Sequence, residues 1–359
     1  MARRLFWLVL ILLGFGLIVL SSASVVQATK QFGSAGYYWQ HQLLFGILPG
    51  LAALFVFWRL DYRRLRPLAL PLLFAALVLM VLVFVPSLGV RLKGATSWLD
   101  LGPLTFQPAE VLKLALIVYL AAWMGERGDR LKEWQLGLLP FGVVMTFVAV
   151  LLLKQPDLGT LGIVLLIAAG MYFVAGAPIK QALAVVAVLV VLIASVAFLS
   201  PARWSRITTV FNPTADARGS GWQLNQSLIA IGSGGMWGVG LGQSTQKLYG
   251  FLPEPIGDSI FAILAEELGW AGALFTILLF AALATMLVLT ARGAHDGFGA
   301  LLAMGMCLWI TVQAAVNIAA ITGIGPLTGL PLPFVSYGGT SMVAMLAGLG
   351  IVLNVADDR

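Results

Sequence analysis

The chain has 359 residues, of which 60% are hydrophobic and only 10% charged, and its mean hydropathy is +0.98. A soluble fold of this length needs a far more charged surface, so the composition excludes a soluble globular protein. The net charge of +6 comes from basic residues in short loops at alternate segment ends, a pattern that orients a membrane protein and gives no ground for nucleic acid as a partner.

The opening stretch, MARRLFWLVLILLGFGLIVLSSASVVQA, has the basic start and small residues of a cleaved signal. Its apolar run exceeds the roughly 7–15 residues of such a signal, and further spans follow, so it reads as an uncleaved first span. Apolar runs able to cross about 30 Å of hydrocarbon then recur. They lie at about 5–26, 43–60, 68–86, 109–124, 138–153, 161–178, 182–199, 259–290, 298–322 and 342–356. The expectation is an all-α polytopic membrane protein of about ten transmembrane helices, forming one membrane domain over 1–359. The eighth run is too long for an upright span and is expected to tilt or to project from the bilayer.

Arg3, Arg4, Arg59, Arg63, Arg64, Arg66, Arg127, Arg130, Lys132, Lys180 and Arg292 fall on one face of this arrangement. The positive-inside rule makes that face cytoplasmic, with both termini on it. The outer face receives the loops at 87–110, 154–160 and 323–341 and a large loop at about 200–258 between helices 7 and 8. These are rich in Gly, Pro, Asn and Gln, with Trp98, Trp204, Trp222 and Trp237 suited to an interface. A connection as long as 201–258 is expected to be functional. The single Cys307 rules out an intrachain disulfide, and His41 and His295 lack metal-ligand spacing.

Five constellations carry polar chemistry. In QPAEVLKLAL, Pro108 suits a first helical turn, and Glu110 and Lys113 share one helix face. They form either a self-neutralising pair at a helix end or a paired charge facing a cavity between helices. The glycine-rich GSGGMWGVGLG (232–242) has no strand before it and no Gly-Lys-Ser/Thr after it. It therefore reads as an irregular loop that approaches a ligand or another loop closely, and a nucleotide cradle is not expected. Asp258 opens a long apolar helix, where it is either a plain N-cap or a reachable acid. At 100° per residue Glu266 lies about 80° from Asp258 and Glu267 opposite it, so the three cannot line one pocket. Glu266 is then placed for the bundle interior and Glu267 for pairing with a neighbouring helix. The stretch GIGPLTGLPLPFVSYGGTS is too rich in Pro and Gly for a helix interior, so it forms a re-entrant or capping loop in which Ser336 and Tyr337 offer donors. Finally, Arg91, Lys93, Lys113, Lys154, Arg203, Arg206, Arg218 and Lys247 make the outer face unusually basic, as lipid headgroups or a phosphorylated ligand would require.

NIAAITGIGPLTGLPLPFVSYGGTS, together with GATSWLDLGPLTFQPAEVLKLAL, KQPDLGT, NQSLIAIGSGGMWGVGLG and KLYGFLPEPIGDSIFAILAEELG in the same order, resembles the SEDS family (shape, elongation, division and sporulation), the FtsW and RodA group. The resemblance runs from the first span to Asn354. It implies a peptidoglycan glycosyltransferase that polymerises lipid II at the outer face of the bacterial cytoplasmic membrane, beside a class B penicillin-binding protein that crosslinks the strands. The family's essential aspartate falls on Asp258, and its paired Glu and Lys fall on Glu110 and Lys113. Where the family often has Thr-Asp-Phe, this chain has Gly257-Asp258-Ser259, and Pro255 is added just before. SSASVVQATKQFGSAGYYWQHQLLFG and WLDLGPLTFQPAEVLKLA look closer to the division-type branch than to the elongation-type one, which places the chain at the septum with other divisome membrane proteins.

On this reading Asp258 is a base or the ligand of a divalent metal, Mg or Mn, and no organic cofactor is expected. Lys113, with Arg206 or Lys247, neutralises pyrophosphate, and Glu110 positions Lys113. Arg91, Lys93, Lys154, Gln107, Ser336 and Tyr337 complete the expected substrate contacts, and lipid tails enter between helices. An elongation-type polymerase, a lipid II flippase and a purely structural scaffold are the alternatives.

Overall fold

The computed structural model describes residues 1–358 apart from 93–94, 101, 103–104, 199, 211 and 213–218, and gives the backbone alone at 91–92, 95, 182, 189, 193 and 201–203. The helices in chain order are α1 (Ala2–Phe32), α2 (Tyr37–Gln42), α3 (Leu48–Arg59), α4 (Leu65–Leu82), α5 (Pro108–Gly125), α6 (Leu139–Lys154), α7 (Leu158–Val174) and α8 (Ile179–Phe198). They continue as α9 (Pro201–Thr208), α10 (Ser220–Ser233), α11 (Thr245–Leu248), α12 (Ile260–Arg292), α13 (Gly297–Ile321) and α14 (Gly339–Asp357). Among the described residues nine helical stretches are long and apolar enough to cross a membrane, α2 and α3 counting as one, and α7 is a further apolar helix of 17 residues. These coincide with the ten apolar runs, as expected where lipid leaves a backbone no partner outside its own helix.

α5, α13 and α14 are enclosed on most of their surface and form the hub, whereas α8 touches only α7 and α9 closely and is the least covered. Small residues let the hub close up. A side chain at Gly350 would overlap the Leu54 carbonyl of α3, and one at Gly305 would overlap Ile117 of α5.

Polar residues gather at the two ends of the bundle. At one end Arg63 pairs with Asp358, the Tyr62 hydroxyl donates to Asp296 (3.1 Å), and Arg66 pairs with Glu126 (3.0 Å). Asn354 Nδ2 also donates there to the Trp58 carbonyl (2.8 Å). At the other end the segments around 42, 105–107, 223, 256–258 and 328–340 converge. Gly338 N donates to Gln42 Oε1 (3.0 Å), Gln107 N to Thr340 Oγ1 (3.3 Å), and Gln223 Nε2 to Asp258 Oδ2 (3.3 Å).

Two regions expected as loops are folded. The strands β1 (Gly89–Leu92), β2 (Ala95–Asp100) and β3 (Thr105–Phe106) form a small antiparallel sheet, with Val90 opposite Trp98 and Leu99 opposite Phe106. β-branched and aromatic residues in these short runs favour strands over the coil that their Gly and Pro content suggests. The long segment from 201 to 258 contains three helices, α9, α10 and α11, with its glycine-rich run wedged against α12.

That wedge explains the overlong eighth run. α12 is two helices joined at Gly269, whose φ of 68° and ψ of −167° lie outside the helical region. The carbonyls of Glu266 and Glu267, released at the break, accept from Val239 N and Gly240 N (3.0 Å each), while Trp270 N and Ala271 N donate to Gly235 and Met236 (2.9 and 3.1 Å). The excess length is thus a separate half-helix carrying Glu266 and Glu267, set against the glycine loop. A Cβ at Gly269 would overlap the Gly238 amide in a backbone region reserved for glycine. Gly269→Ala is therefore expected to cost roughly 2–4 kcal/mol, visible as a lowered midpoint in thermal unfolding of the detergent-solubilised protein.

Candidate active site

The site is assembled on the turn before α12. Pro253 and Pro255 keep FLPEP out of a helix, and Glu254 between them takes a left-handed φ of 51°. Its carbonyl then accepts from Gly257 N and Ser259 N (3.0 and 3.3 Å), which turns the chain sharply into α12. Ser259 occupies the cap position. Asp258 lies one residue outside the helix, so it is not the plain N-cap its place in the sequence suggests. The Asp258 side chain is half-buried, and its Oδ2 accepts from Gln223 Nε2 of α10, whose amide also donates to Ser259 Oγ (3.0 Å).

Three consecutive carbonyls of this turn are held from outside. Ile256 accepts from the Tyr337 amide (2.9 Å), Gly257 from Ser336 Oγ (2.7 Å) and Asp258 from Asn317 Nδ2 (2.8 Å). Ser336 Oγ also accepts from Leu332 N (2.8 Å), so its hydroxyl is used in both directions and the residue is buried. Ser336 is thus a clamp on the acidic turn, a correction to its expected place among the substrate donors. Tyr337 is half-buried. Its backbone serves the same clamp and its hydroxyl meets His41 Nδ1 (2.9 Å). Burial, reinforced by Tyr37 and Tyr38, pushes the Tyr337 hydroxyl upward, which keeps it a protonated donor.

Asn317 belongs to a stripe on α13 with Trp309 and Gln313, four residues apart and therefore on one face. Gln313 Oε1 accepts from Lys113 Nζ (3.1 Å) and from Trp309 Nε1 (3.0 Å), and its Nε2 donates to the Pro331 carbonyl (3.0 Å). Asn317 Nδ2 also donates to the Leu330 carbonyl (2.7 Å). Lys113 completes its shell with Glu110 Oε1 at 2.8 Å and the Trp309 ring at 4.8 Å. Glu110 and Lys113 are both buried. They are the paired charge between helices, but the ammonium is enclosed, so the expectation that Lys113 meets pyrophosphate directly is corrected: it ties α5 to α13.

Glu267 and Lys247 form a second buried ion pair. Ser22 of α1 donates to Glu267 Oε2 (2.5 Å), and Lys247 Nζ donates to the Ser22 carbonyl and hydroxyl (2.9 Å each). Glu267 thus pairs with neighbouring helices, as its position opposite Asp258 implies. Lys247, expected on pyrophosphate, is consumed by this pair. Glu266 is buried too, accepting from Ser244 Oγ (2.5 Å), Thr245 N (2.8 Å) and Thr245 Oγ1 (2.7 Å), which fixes the start of α11. The three acids sit in three separate settings, and of them Asp258 alone is part-buried where Glu266 and Glu267 are buried.

Arg206 of α9 is exposed, with Nη1 3.9 Å from where a Cβ on Gly329 would lie, one residue from the Leu330 carbonyl held by Asn317. Lys154 is exposed at the end of α6, and Gln107 precedes α5 with its amide on Thr340. In KQPDLGT the side chains lock the fold: Gln155 donates to the Met80 carbonyl (2.9 Å), and Asp157 caps α7 through Thr160 N (3.0 Å) and Thr160 Oγ1 (2.7 Å). Lys93 and Arg218 lie outside the described residues, and the side chains of Arg91 and Arg203 do too. Among the described residues no three His, Cys, Asp or Glu come together as a metal site. Gln223, Gln313 and Asn317 were missed in the sequence, although carboxamides in an apolar helix are a recognisable signal.

The fold and site define a multi-pass membrane protein that holds a part-buried acid over a buried polar stripe. The family model described as "Cell cycle protein", which covers FtsW, RodA and SpoVE, matches residues 3–359, and the chain belongs to this family. It is 40% identical over 352 residues to the "Probable peptidoglycan glycosyltransferase FtsW" of Trichlorobacter lovleyi, covering 97% of this chain and 91% of that one. It is 39% identical to the "Stage V sporulation protein E" of Bacillus subtilis, covering 97% and 94%. Among solved structures it resembles a chain of a peptidoglycan synthase complex described as coordinating polymerization and crosslinking, with TM-score 0.83, 31% identity and coverage of 99% and 98%. It also resembles the rod shape determining protein RodA of Thermus thermophilus, with TM-score 0.72, 30% identity and coverage of 99% and 96%.

Removing one member of the buried Lys247–Glu267 pair strands the other. Lys247→Met is expected to destabilise the fold by about 3–5 kcal/mol, while Lys247→Met with Glu267→Leu recovers most of the loss, both read from thermal unfolding. Ser336→Ala leaves the Gly257 carbonyl and Leu332 amide short of a partner. It is expected to cost about 1–3 kcal/mol in the same measurement.

Proposed function

We propose that this protein is a peptidoglycan glycosyltransferase that polymerises lipid II into glycan strands, with Asp258 as its working acid. The observation that carries this reading is the pinning of the Asp258 turn at three carbonyls, which leaves one half-exposed carboxylate at the end of the bundle where Arg206 also lies. The names of the FtsW relatives support the reaction class.

The substrate is a disaccharide-pentapeptide on an undecaprenyl pyrophosphate. A sugar hydroxyl of one molecule attacks the anomeric carbon of a lipid-linked strand. The new glycosidic bond forms as the bond to pyrophosphate breaks. Pyrophosphate already leaves readily, so the second carboxylate of an ordinary glycosidase is dispensable. A single base suffices to accept the hydroxyl proton, and a cation to steady the departing charge. Asp258 is the base in this scheme and Arg206 the accessible cation. Lys113 and Glu110 act indirectly, setting α5 against α13 and thus the position of the turn. A divalent cation, Mg or Mn, fits as an ion held by Asp258, with water and the substrate's phosphates as its remaining ligands, in the manner usual for Mg. When bound it would acidify the attacking hydroxyl.

The reaction end of the bundle faces out of the cytoplasm in this proposal, and both termini face in, because the basic loops lie at the other end. A class B penicillin-binding protein is the partner, and other divisome proteins and membrane lipids surround the pair, in keeping with the synthase complex among the structural neighbours. The division-type role is favoured by the number of FtsW relatives, with an elongation-type role as the alternative. A flippase is disfavoured because Lys113 and Lys247 are locked in ion pairs and do not line a path across the bundle.

Asp258→Asn, purified with its transpeptidase and supplied with lipid II, is expected to keep its thermal midpoint and lose glycan polymerisation by at least a hundredfold, followed by gel separation of labelled strands. Full activity in that variant removes Asp258 from the mechanism.

A further inference from the structure

Between the last turns of α1 and the segment leading to Asp258 lies a cavity of about 230 Å³, lined by Val26, Gln27, Lys30, Leu252, Glu254 and Pro255 among others. We propose that it is a subsite for the peptide stem of the lipid-linked disaccharide; this rests on the reading of the chain as a lipid II polymerase. The volume is below the roughly 300–1,000 Å³ of a site that encloses a whole ligand, and it suits one arm of a larger molecule.

The chemistry of the wall decides what that arm is. Lys30 is exposed, and among the described residues no carboxylate pairs with its ammonium, which overhangs the turn at Gly250. It seeks an anion or a carbonyl. Gln27 Oε1 is a buried acceptor without a hydrogen-bond partner among the described residues, so it seeks an N–H donor. Gln31 Oε1 is already taken by the Tyr38 hydroxyl (2.5 Å), and Lys247 is held by Glu267 and Ser22. A pyrophosphate has only acceptors; it would leave Gln27 unsatisfied and bring its charge against Glu254. A peptide has both halves, N–H groups for Gln27 and carbonyls or carboxylates for Lys30. A lysine in the last turn of a helix is also explained by the helix dipole, but that leaves Gln27 and the cavity unaccounted for.

The subsite adjoins the reacting centre. Glu254 Oε2 lies 3.3 Å from where a Cβ on Gly257 would be, one residue before Asp258. A stem seated here would bring its sugar to the acid and withhold productive binding from a disaccharide lacking the stem. That is a way to select complete precursors at the polymerisation step.

The test measures binding of soluble disaccharide-pentapeptide, soluble disaccharide without the stem, and inorganic pyrophosphate to the full-length protein in nanodiscs. The pentapeptide form is expected to bind. Lys30→Ala should weaken it roughly tenfold and Lys30→Glu should weaken it further, both being exposed substitutions that leave the thermal midpoint in place. The stem-free disaccharide is expected to be indifferent to both. An affinity for the pentapeptide form that ignores Lys30, or competition by pyrophosphate for the same site, overturns the proposal. Lipid II polymerisation is followed in parallel. A protein that binds the stem through Lys30 yet forms no strands would refute the glycosyltransferase reading and leave the subsite standing.

Discussion

A polar group inside an apolar bundle must find its partner within the protein, and the rest of this structure depends on how α13 meets that demand. Trp309, Gln313 and Asn317 are spaced one turn apart; the indole of Trp309 orients Gln313 within the helix, and the two carboxamides spend their remaining hydrogen bonds on other elements. Gln313 reaches the Lys113–Glu110 pair on α5 and the Pro331 carbonyl, and Asn317 reaches Leu330 and Asp258. Each bond is of modest net worth, about 1 kcal/mol, but leaving any of these groups unmade would cost more. The stripe therefore specifies one arrangement of α5, α12, α13 and the proline loop.

That arrangement separates charge by function. Of the acidic and basic residues that crowd the stretch from 247 to 267, Lys247, Glu266 and Glu267 are buried and committed to structure, while Glu254 and Asp258 are part-buried and keep a face to the outside. Buried ion pairs contribute little net stability and more conformational definition. Here they seat α11 and the half-helix of α12 so that one carboxylate is presented at a fixed place. Specificity of position is the gain.

The spans were legible because hydropathy over about 18 residues is a strong, local signal, and the ten runs recur as helices with only small shifts at their ends. Asp258, and the pairing of Glu110 with Lys113 and of Glu267 with a neighbouring helix, were legible from costly charge in apolar sequence and from helical spacing. The roles of Lys113, Lys247 and Ser336 were not. Whether a lysine faces a ligand or a glutamate depends on which distant segment packs against it, and Lys247 meets Ser22 across 225 positions. The sheet at 89–106 and the helices within 201–258 escaped notice for a related reason. Short, half-exposed elements are decided by tertiary contact more than by composition.

The break at Gly269 has a mechanical consequence. By taking two carbonyls out of the helical ladder and giving them to the glycine loop, while the amides of Trp270 and Ala271 bind that same loop, it ties both the half-helix 260–268 and the span 270–292 to the segment 235–240. The joint is thus braced by four backbone hydrogen bonds to one loop, so the break bends the chain without loosening it.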